Sequence, residues 1–174
     1  VIHEHSPAIE VDTGSKPFVR TAHGKVNARF VIIACNAYLG RLVPKLYGKV
    51  LPVTSYIIAT EPLGENRARA MIRDGEAVAD TNFIVDYFRL TPDTRMLFGG
   101  RASYTTMEPA HLAPDMKKSM VKIFPQLRDA KIDFAWGGYI AITHNRIPDC
   151  GRLSPTAYYA HGYSGQGVAL AGMY

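Results

Sequence analysis

Apolar and polar positions follow two periods along this chain. Phe18-Val19-Arg20-Thr21-Ala22 reads as a short strand, and His23-Gly24-Lys25 as a turn. Val26 to Ala34 reads as a second strand, ending in the unbroken apolar run Phe30-Val31-Ile32-Ile33-Ala34. Such β-branched runs belong to strands covered on both faces, usually parallel ones, so this run is expected at the centre of a layered α/β unit. From Val53 the style changes. Val53–Thr60, Phe83–Leu90 and Arg95–Arg101 read as strands, the last two joined by a turn at Thr91-Pro92-Asp93-Thr94. Glu65 to Arg73 reads as a short surface helix, with Ala68, Met71 and Ile72 at helical spacing. Pro114 to Phe124 is the clearest helix. Met116, Met120, Ile123 and Phe124 form one stripe, Lys117, Lys118 and Lys122 lie opposite, and Pro125 stops it. Ile132 to Ile142 is a strand interrupted by Gly137-Gly138, Thr143 to Gly151 is irregular, and Ala157 to His161 is a last strand. It runs into Gly162-Tyr163-Ser164-Gly165-Gln166-Gly167 and a short apolar segment of helical composition.

Composition narrows the class. The 174 residues are 47% apolar and 20% charged, enough for a core. This excludes a disordered tail, a collagen-like chain and a disulfide miniprotein. No apolar run approaches the roughly 18 residues of a membrane helix, so no membrane partner is expected. The net charge is +5, yet no basic block exceeds Lys117-Lys118. A nucleic-acid footprint needs a basic stripe or cluster, so none is expected. Cys35 and Cys150 form no disulfide framework, which favours a reducing, cytoplasmic setting, and Cys35 is expected to be buried. His3 and His5 alternate but lack metal-ligand company, and no metal is expected.

Three segments could carry chemistry. His161 to Gly167 places a glycine-rich turn after a strand and before a helix, an arrangement that offers free N–H groups to an anion or an electron-rich ring. It is not a P-loop, because no Gly-Lys-Ser/Thr follows. It departs from a serine nucleophile elbow because Gln166 stands where glycine is required. Phe30 to Ala37 is a core strand ending in small residues, where α/β proteins place cofactors. Trp136-Gly137-Gly138-Tyr139 leads into Thr143-His144-Asn145-Arg146-Ile147-Pro148, where Trp136 is a core aromatic of a sheet or the wall of a flat ligand site.

In this order, residues 28–37, 136–139, 143–148 and 161–168 resemble the FAD-dependent amine oxidoreductases of the D-amino acid oxidase, glycine oxidase and sarcosine oxidase superfamily. The gamma-glutamylputrescine oxidoreductase branch is the nearest in flavour. The resemblance spans nearly the whole chain, and Gly-Tyr-Ser-Gly-x-Gly is its most specific piece. It implies an α+β chain: α/β portions of a cofactor domain at residues 1–50 and 151–174, and a substrate domain with an antiparallel sheet and helices at 51–150. FAD is the implied cofactor. Ala34, Cys35 and Asn36 would flank it. Gly162, Tyr163, Ser164, Gly165, Gln166, Gly167 and Val168 would lie against the flavin pyrimidine, with the positive end of the following helix at its N1–C2 edge. Tyr56, Tyr87, Arg89, Arg101 and Tyr139 are candidates for holding a small amine or amino acid, and alternation puts Tyr87 and Arg89 on one face. An arginine there could pair with a substrate carboxylate. No protein nucleophile is implied, and no catalytic side chain is singled out.

The resemblance implies oxidation of a C–N bond by hydride transfer to flavin, then hydrolysis of the imine. The family's Gly-x-Gly-x-x-Gly is absent here, so the chain is expected to be the C-terminal part of a longer enzyme, short at both ends. Its partner would be the missing FAD-binding segment, and alone it is expected to be inactive. Gln166 stands where relatives often carry His, and Ala169 where sarcosine-oxidising members carry a Lys used with oxygen. Two alternatives stay open: a serine hydrolase using Ser164 with His144 or His161 as base, and a non-catalytic binding or assembly domain of flavoprotein-like fold.

Overall fold

The structure is a computed structural model and describes residues 1–104, 109 and 111–174, the side chain of Arg101 excepted. In chain order the strands are β1 (Ala8–Asp12), β2 (Phe18–Thr21), β3 (Lys25–Asn27), β4 (Val31–Ile33), β5 (Leu51–Thr60), β6 (Val78–Ala79), β7 (Tyr87–Leu90), β8 (Met96–Ser103), β9 (Ile132–Ile142), β10 (Asp149–Ser154) and β11 (Ala157–His161). The helices are α1 (Glu65–Met71), α2 (Leu112–Ile123) and α3 (Gly167–Leu170), with short 3-10 turns at Asn36–Tyr38, Pro44–Leu46 and Pro125–Leu127. The fold class is α+β. The chain divides into two compact units, Val1–Val53 with Tyr139–Tyr174, and Thr54–Gly138.

In the first unit β1, β2 and β3 form an antiparallel meander. The Thr21 N–H donates to Gly24 O at 2.8 Å, which closes the β2–β3 turn. A second sheet has the order β10-β11-β4. β4 runs parallel to β11, with Val31 opposite Ala157 and Ile33 opposite Tyr159, and β10 runs antiparallel to β11. Val31 and Ile33 pack with Leu39, Val43 and Leu46 in this unit's core. The parallel pairing is the one expected, but the coverage is not. Ile32 is 72% exposed and Phe30 is exposed beside it, because no described element lies over that face. The strand expected from Val26 to Ala34 is two short strands, interrupted where Ala28 N–H turns back to Pro17 O.

The second unit contains β6, β7, β8 and most of the five-stranded sheet ordered β6-β7-β8-β5-β9. One face carries Tyr56, Ile58, Met96, Phe98 and Phe88, and helix α2 seats Met116 and Met120 on it. Burial of each such large apolar side chain contributes about 1.5–3 kcal/mol. Phe88 stacks on Phe98 and meets Phe124 edge-on, with centroids 6.1 and 4.9 Å apart. The β7–β8 hairpin closes at the predicted turn, where Thr94 takes φ +66° and its N–H donates to Thr91 O. Thr60 is buried at the end of β5. Its Oγ1 accepts the Met96 N–H at 2.9 Å and donates to Glu61 O. A bulge between Ser55 and Tyr56 pairs them with Ala102 and Gly100, which leaves Arg101 as the extra residue opposite β5.

Candidate functional site

The parallel pair β4–β11 brings two of the sequence-derived segments together. Both strands end at one edge, β4 in Ala34, Cys35 and Asn36, and β11 in Gly162 to Gly167. Asn36 takes φ +48° and its Oδ1 accepts the Gly162 N–H at 3.0 Å. Asparagine tolerates this left-handed conformation better than most residues. Gly162 itself takes φ +73°, and a Cβ there would overlap Thr143 Cγ2. Only glycine fits both demands.

Beyond Gly162 the turn is braced from one side. Ser164, at φ +52°, donates its N–H to Ala141 O at 2.9 Å. Its Oγ accepts the Thr143 N–H at 3.4 Å and donates to Gly162 O at 3.3 Å. Gln166 N–H donates to Tyr163 O. Gly165 takes φ +93° and faces open space. Among the described residues no acceptor meets the N–H of Gly165 or Gly167. Two free N–H groups close together in a turn with left-handed residues suit an anion or a polarised carbonyl. Helix α3 is only four residues long, so its aligned dipole is short and the donors themselves carry the attraction. Gln166 and Val168 are exposed, and Tyr163 is half-buried with its phenol pushed up by burial first and by neighbouring Cys150 second.

Cys35 departs from expectation. It is half-buried rather than buried, its thiol is free, and burial pushes its pKa up. A thiol pushed up by burial stays protonated at neutral pH and is a poor nucleophile.

Among the described residues Ser164 has no base bonded to its hydroxyl. Its hydroxyl is engaged with Thr143 and Gly162, while His161 turns its Nε2 to Asp149 Oδ2 at 2.9 Å, and among the described residues no bond joins His144 to Ser164. A serine needs a base within hydrogen-bond reach, so the hydrolase alternative has no geometric support.

Under the turn lies a cluster that the sequence reading missed. Asp149 Oδ1 accepts from Tyr159 OH at 2.9 Å, and Lys49 Nζ reaches Tyr159 OH at 3.1 Å and Asp149 Oδ2 at 3.2 Å. Burial pushes the Asp149 carboxyl up, but hydrogen bonds from His161, Tyr159 and Lys49 outweigh it and hold it below its ordinary value. The hydrogen bond to Tyr159, set against desolvation, holds the Lys49 ammonium above its ordinary value. The signal was present in Ser154-Pro155-Thr156, which joins two strands and sets Asp149 directly opposite His161. Reading 143–151 as irregular hid that register.

The substrate candidates are dispersed. Tyr56 is 1% exposed and packs in the core beneath Gly137, where a Cβ would stand 2.7 Å from its ring. Tyr87 lies on the opposite face, its hydroxyl 3.1 Å from Ser55 Oγ and its ring against Gly99. Arg89 follows on the same face, exposed, its Nε donating to Leu90 O. Arg89 also lines a surface cavity of about 450 Å³ with Arg69 and Arg73. Arg101 stands at the bulge, and its side chain lies outside the described ones. Tyr139 belongs to the first unit, where its N–H donates to Tyr38 OH at 3.2 Å and the two rings meet edge-on. Trp136 is 43% exposed and so is not a core aromatic.

The glycine turn is a fitting cradle for a flavin edge, because it offers free donors beside open space. The FAD dependent oxidoreductase family matches residues 1–174. A probable oxidoreductase OrdL of Haemophilus influenzae is 43% identical over 99% of this chain and 40% of its own length. Gamma-glutamylputrescine oxidoreductase of Escherichia coli K12 is 40% identical over 96% of this chain and 39% of its own. The chain thus spans about 40% of the length of the curated relatives it matches. Glycine oxidase from Bacillus cereus shares the fold with a TM-score of 0.79 at 16% identity, over 98% of this chain and 48% of that one. L-proline dehydrogenase from P. horikoshii does so with a TM-score of 0.76 at 21% identity, over 97% and 46%. No described helix is long and apolar enough to cross a membrane. With the family match running the full 174 residues, the chain belongs to the FAD dependent oxidoreductase family.

Proposed function

We propose that this chain supplies one wall of the flavin site, and part of the substrate side, of an enzyme that oxidises the C–N bond of a small amine or amino acid. The observation that carries the reading is the joined ends of β4 and β11, where Asn36 holds Gly162, Gly165 borders open space, and the N–H groups of Gly165 and Gly167 meet no acceptor among the described residues. When bound, FAD supplies a two-electron acceptor for the hydride beside an amine nitrogen. The residues of this chain do the rest by position. Gly165 and Gly167 donate hydrogen bonds to an electron-rich ring edge, and fixed donors favour the negative charge that builds there. Cys35 and Asn36 flank the same edge.

Residues 1–50 and 151–174 are the cofactor portions in this reading, and 51–150 the substrate portion. The two compact units support such a division, although they group Tyr139 to Cys150 with the cofactor portion. On the substrate portion, Tyr87 and Arg89 share the sheet face away from α2, and the Arg89 guanidinium suits a carboxylate-bearing amine. The gamma-glutamylputrescine relative supports an amine as substrate class.

The experiment is a visible absorption spectrum of the natural full-length protein before and after denaturation, followed by anaerobic titration with amines. Flavin bands, released FAD and bleaching by an amine are expected. A colourless protein that takes up no added FAD would overturn the reading.

A further inference from the structure

His161 is 2% exposed, carries a titratable ring, and stands immediately before the glycine turn, yet the flavin reading above gives it no task. Its surroundings are built around it. Nε2 lies 2.9 Å from Asp149 Oδ2, directly across the β10–β11 ladder. The other Asp149 oxygen takes the Tyr159 hydroxyl, and Lys49 bridges Tyr159 and Asp149 from the solvent side. The Tyr159 ring meets the His161 ring edge-on at 5.3 Å. An ionised carboxylate only accepts hydrogen bonds, so His161 presents an N–H at Nε2 and its ring is fixed in direction. The next residue is Gly162, whose N–H is tied to Asn36 and where a Cβ would have no room beside Thr143 and Val50. The chain therefore enters the turn from a residue that cannot rotate.

We propose that His161, held by Asp149, is a positioning residue: it fixes the entry of the Gly162–Gly167 turn and so aims the N–H groups of Gly165 and Gly167 at the flavin. This rests on the flavin reading. A group held to within a few tenths of an ångström by its supporting shell binds and polarises a ligand better than a loose one. His161 acts through the turn and touches no reacting atom in this proposal.

The test uses the natural full-length flavoprotein and two readouts other than turnover, the FAD dissociation constant and the flavin absorption and circular dichroism bands. His161→Leu keeps the bulk but removes the donor. His161→Gln keeps an N–H near the Nε2 position. The expected result is at least a tenfold loss of FAD affinity with shifted bands in His161→Leu, and recovery to within about threefold in His161→Gln; tenfold is about 1.4 kcal/mol. Equal affinities and spectra in the two variants, whether both resemble the parent or both are weakened, would overturn the proposal. Should His161→Leu fail to fold, Tyr159→Phe decides. It keeps the ring contact and removes one donor to Asp149, and an affinity loss of about two- to fivefold is expected. Unchanged affinity there overturns the proposal. A parent protein that binds no FAD overturns the flavin reading first, and the two failures are distinct.

Discussion

Asn36 and Gly162 are 126 positions apart in the chain and 3.0 Å apart in space, amide N–H to side-chain oxygen. Each residue occupies the left-handed region of backbone space. The bond ties the end of one parallel strand to the end of its neighbour, at the edge where α/β sheets receive ligands.

Replacement of Asn36 tests that tie. Asn36→Ala removes the acceptor and strains the positive φ, and a loss of about 1–3 kcal/mol in unfolding free energy is expected. Asn36→Gly relaxes the backbone but still lacks the acceptor, so it is expected to lose less. Asn36→Asp keeps the acceptor and is expected to stay close to the parent. Urea unfolding of the three variants measures this order.

Gly162→Ala sets a methyl group against Thr143 Cγ2 at φ +73°. The expected cost is about 1–3 kcal/mol. Thr143→Ser removes Cγ2 but keeps the hydroxyl that donates to Ile147 O at 2.9 Å. A double-mutant cycle is therefore expected to show the second change recovering part of the first. Strict additivity would mean that the strain is in the backbone alone.

Asp149 gives a pH dependence of known sign. Its folded pKa lies below the unfolded one, because the bonds from His161, Tyr159 and Lys49 outweigh burial. Its contribution to stability is complete above about pH 4, the ordinary carboxylate range. It is lost as pH falls from there through the folded value. Asp149→Asn is expected to flatten that acid limb. Urea midpoints between pH 5 and pH 2, for the parent and the variant, measure the difference.

Thr60 offers a test away from the site. Thr60→Val keeps the shape but strands the buried Met96 N–H, at an expected cost of about 1–3 kcal/mol. Thr60→Ser retains the oxygen and is expected to cost less. Thermal unfolding of both variants checks the order.

Legibility followed the range of the forces involved. Helix α2 was readable because Met116 and Met120 repeat at a helical period and Pro125 stops the chain, and it spans Leu112–Ile123 against an expected 114–124. The hairpin turn at Thr91–Thr94 was readable from its Pro and Asp. Strands β1 and β10 were not, because Ala8–Asp12 and Asp149–Ser154 mix polar and apolar residues and are held by their neighbours rather than by their own pattern. The glycine turn and the Asn36 segment were each visible alone. The bond between them is tertiary and leaves no trace in spacing. Tyr56 shows the same limit on the substrate side, since alternation separates two faces but cannot say which one α2 will cover.

The bare face of β4 has a practical consequence. Phe30 and Tyr158 bring their rings to 6.4 Å with Ile32 beside them, and no described strand pairs the outer edge of β4. An exposed apolar cluster of this kind invites association with another apolar surface. A polypeptide of this extent is therefore expected to self-associate as its concentration rises, and light scattering would record it. A lysine in place of Ile32 would act as a gatekeeper, keeping the ladder intact while making the surface soluble.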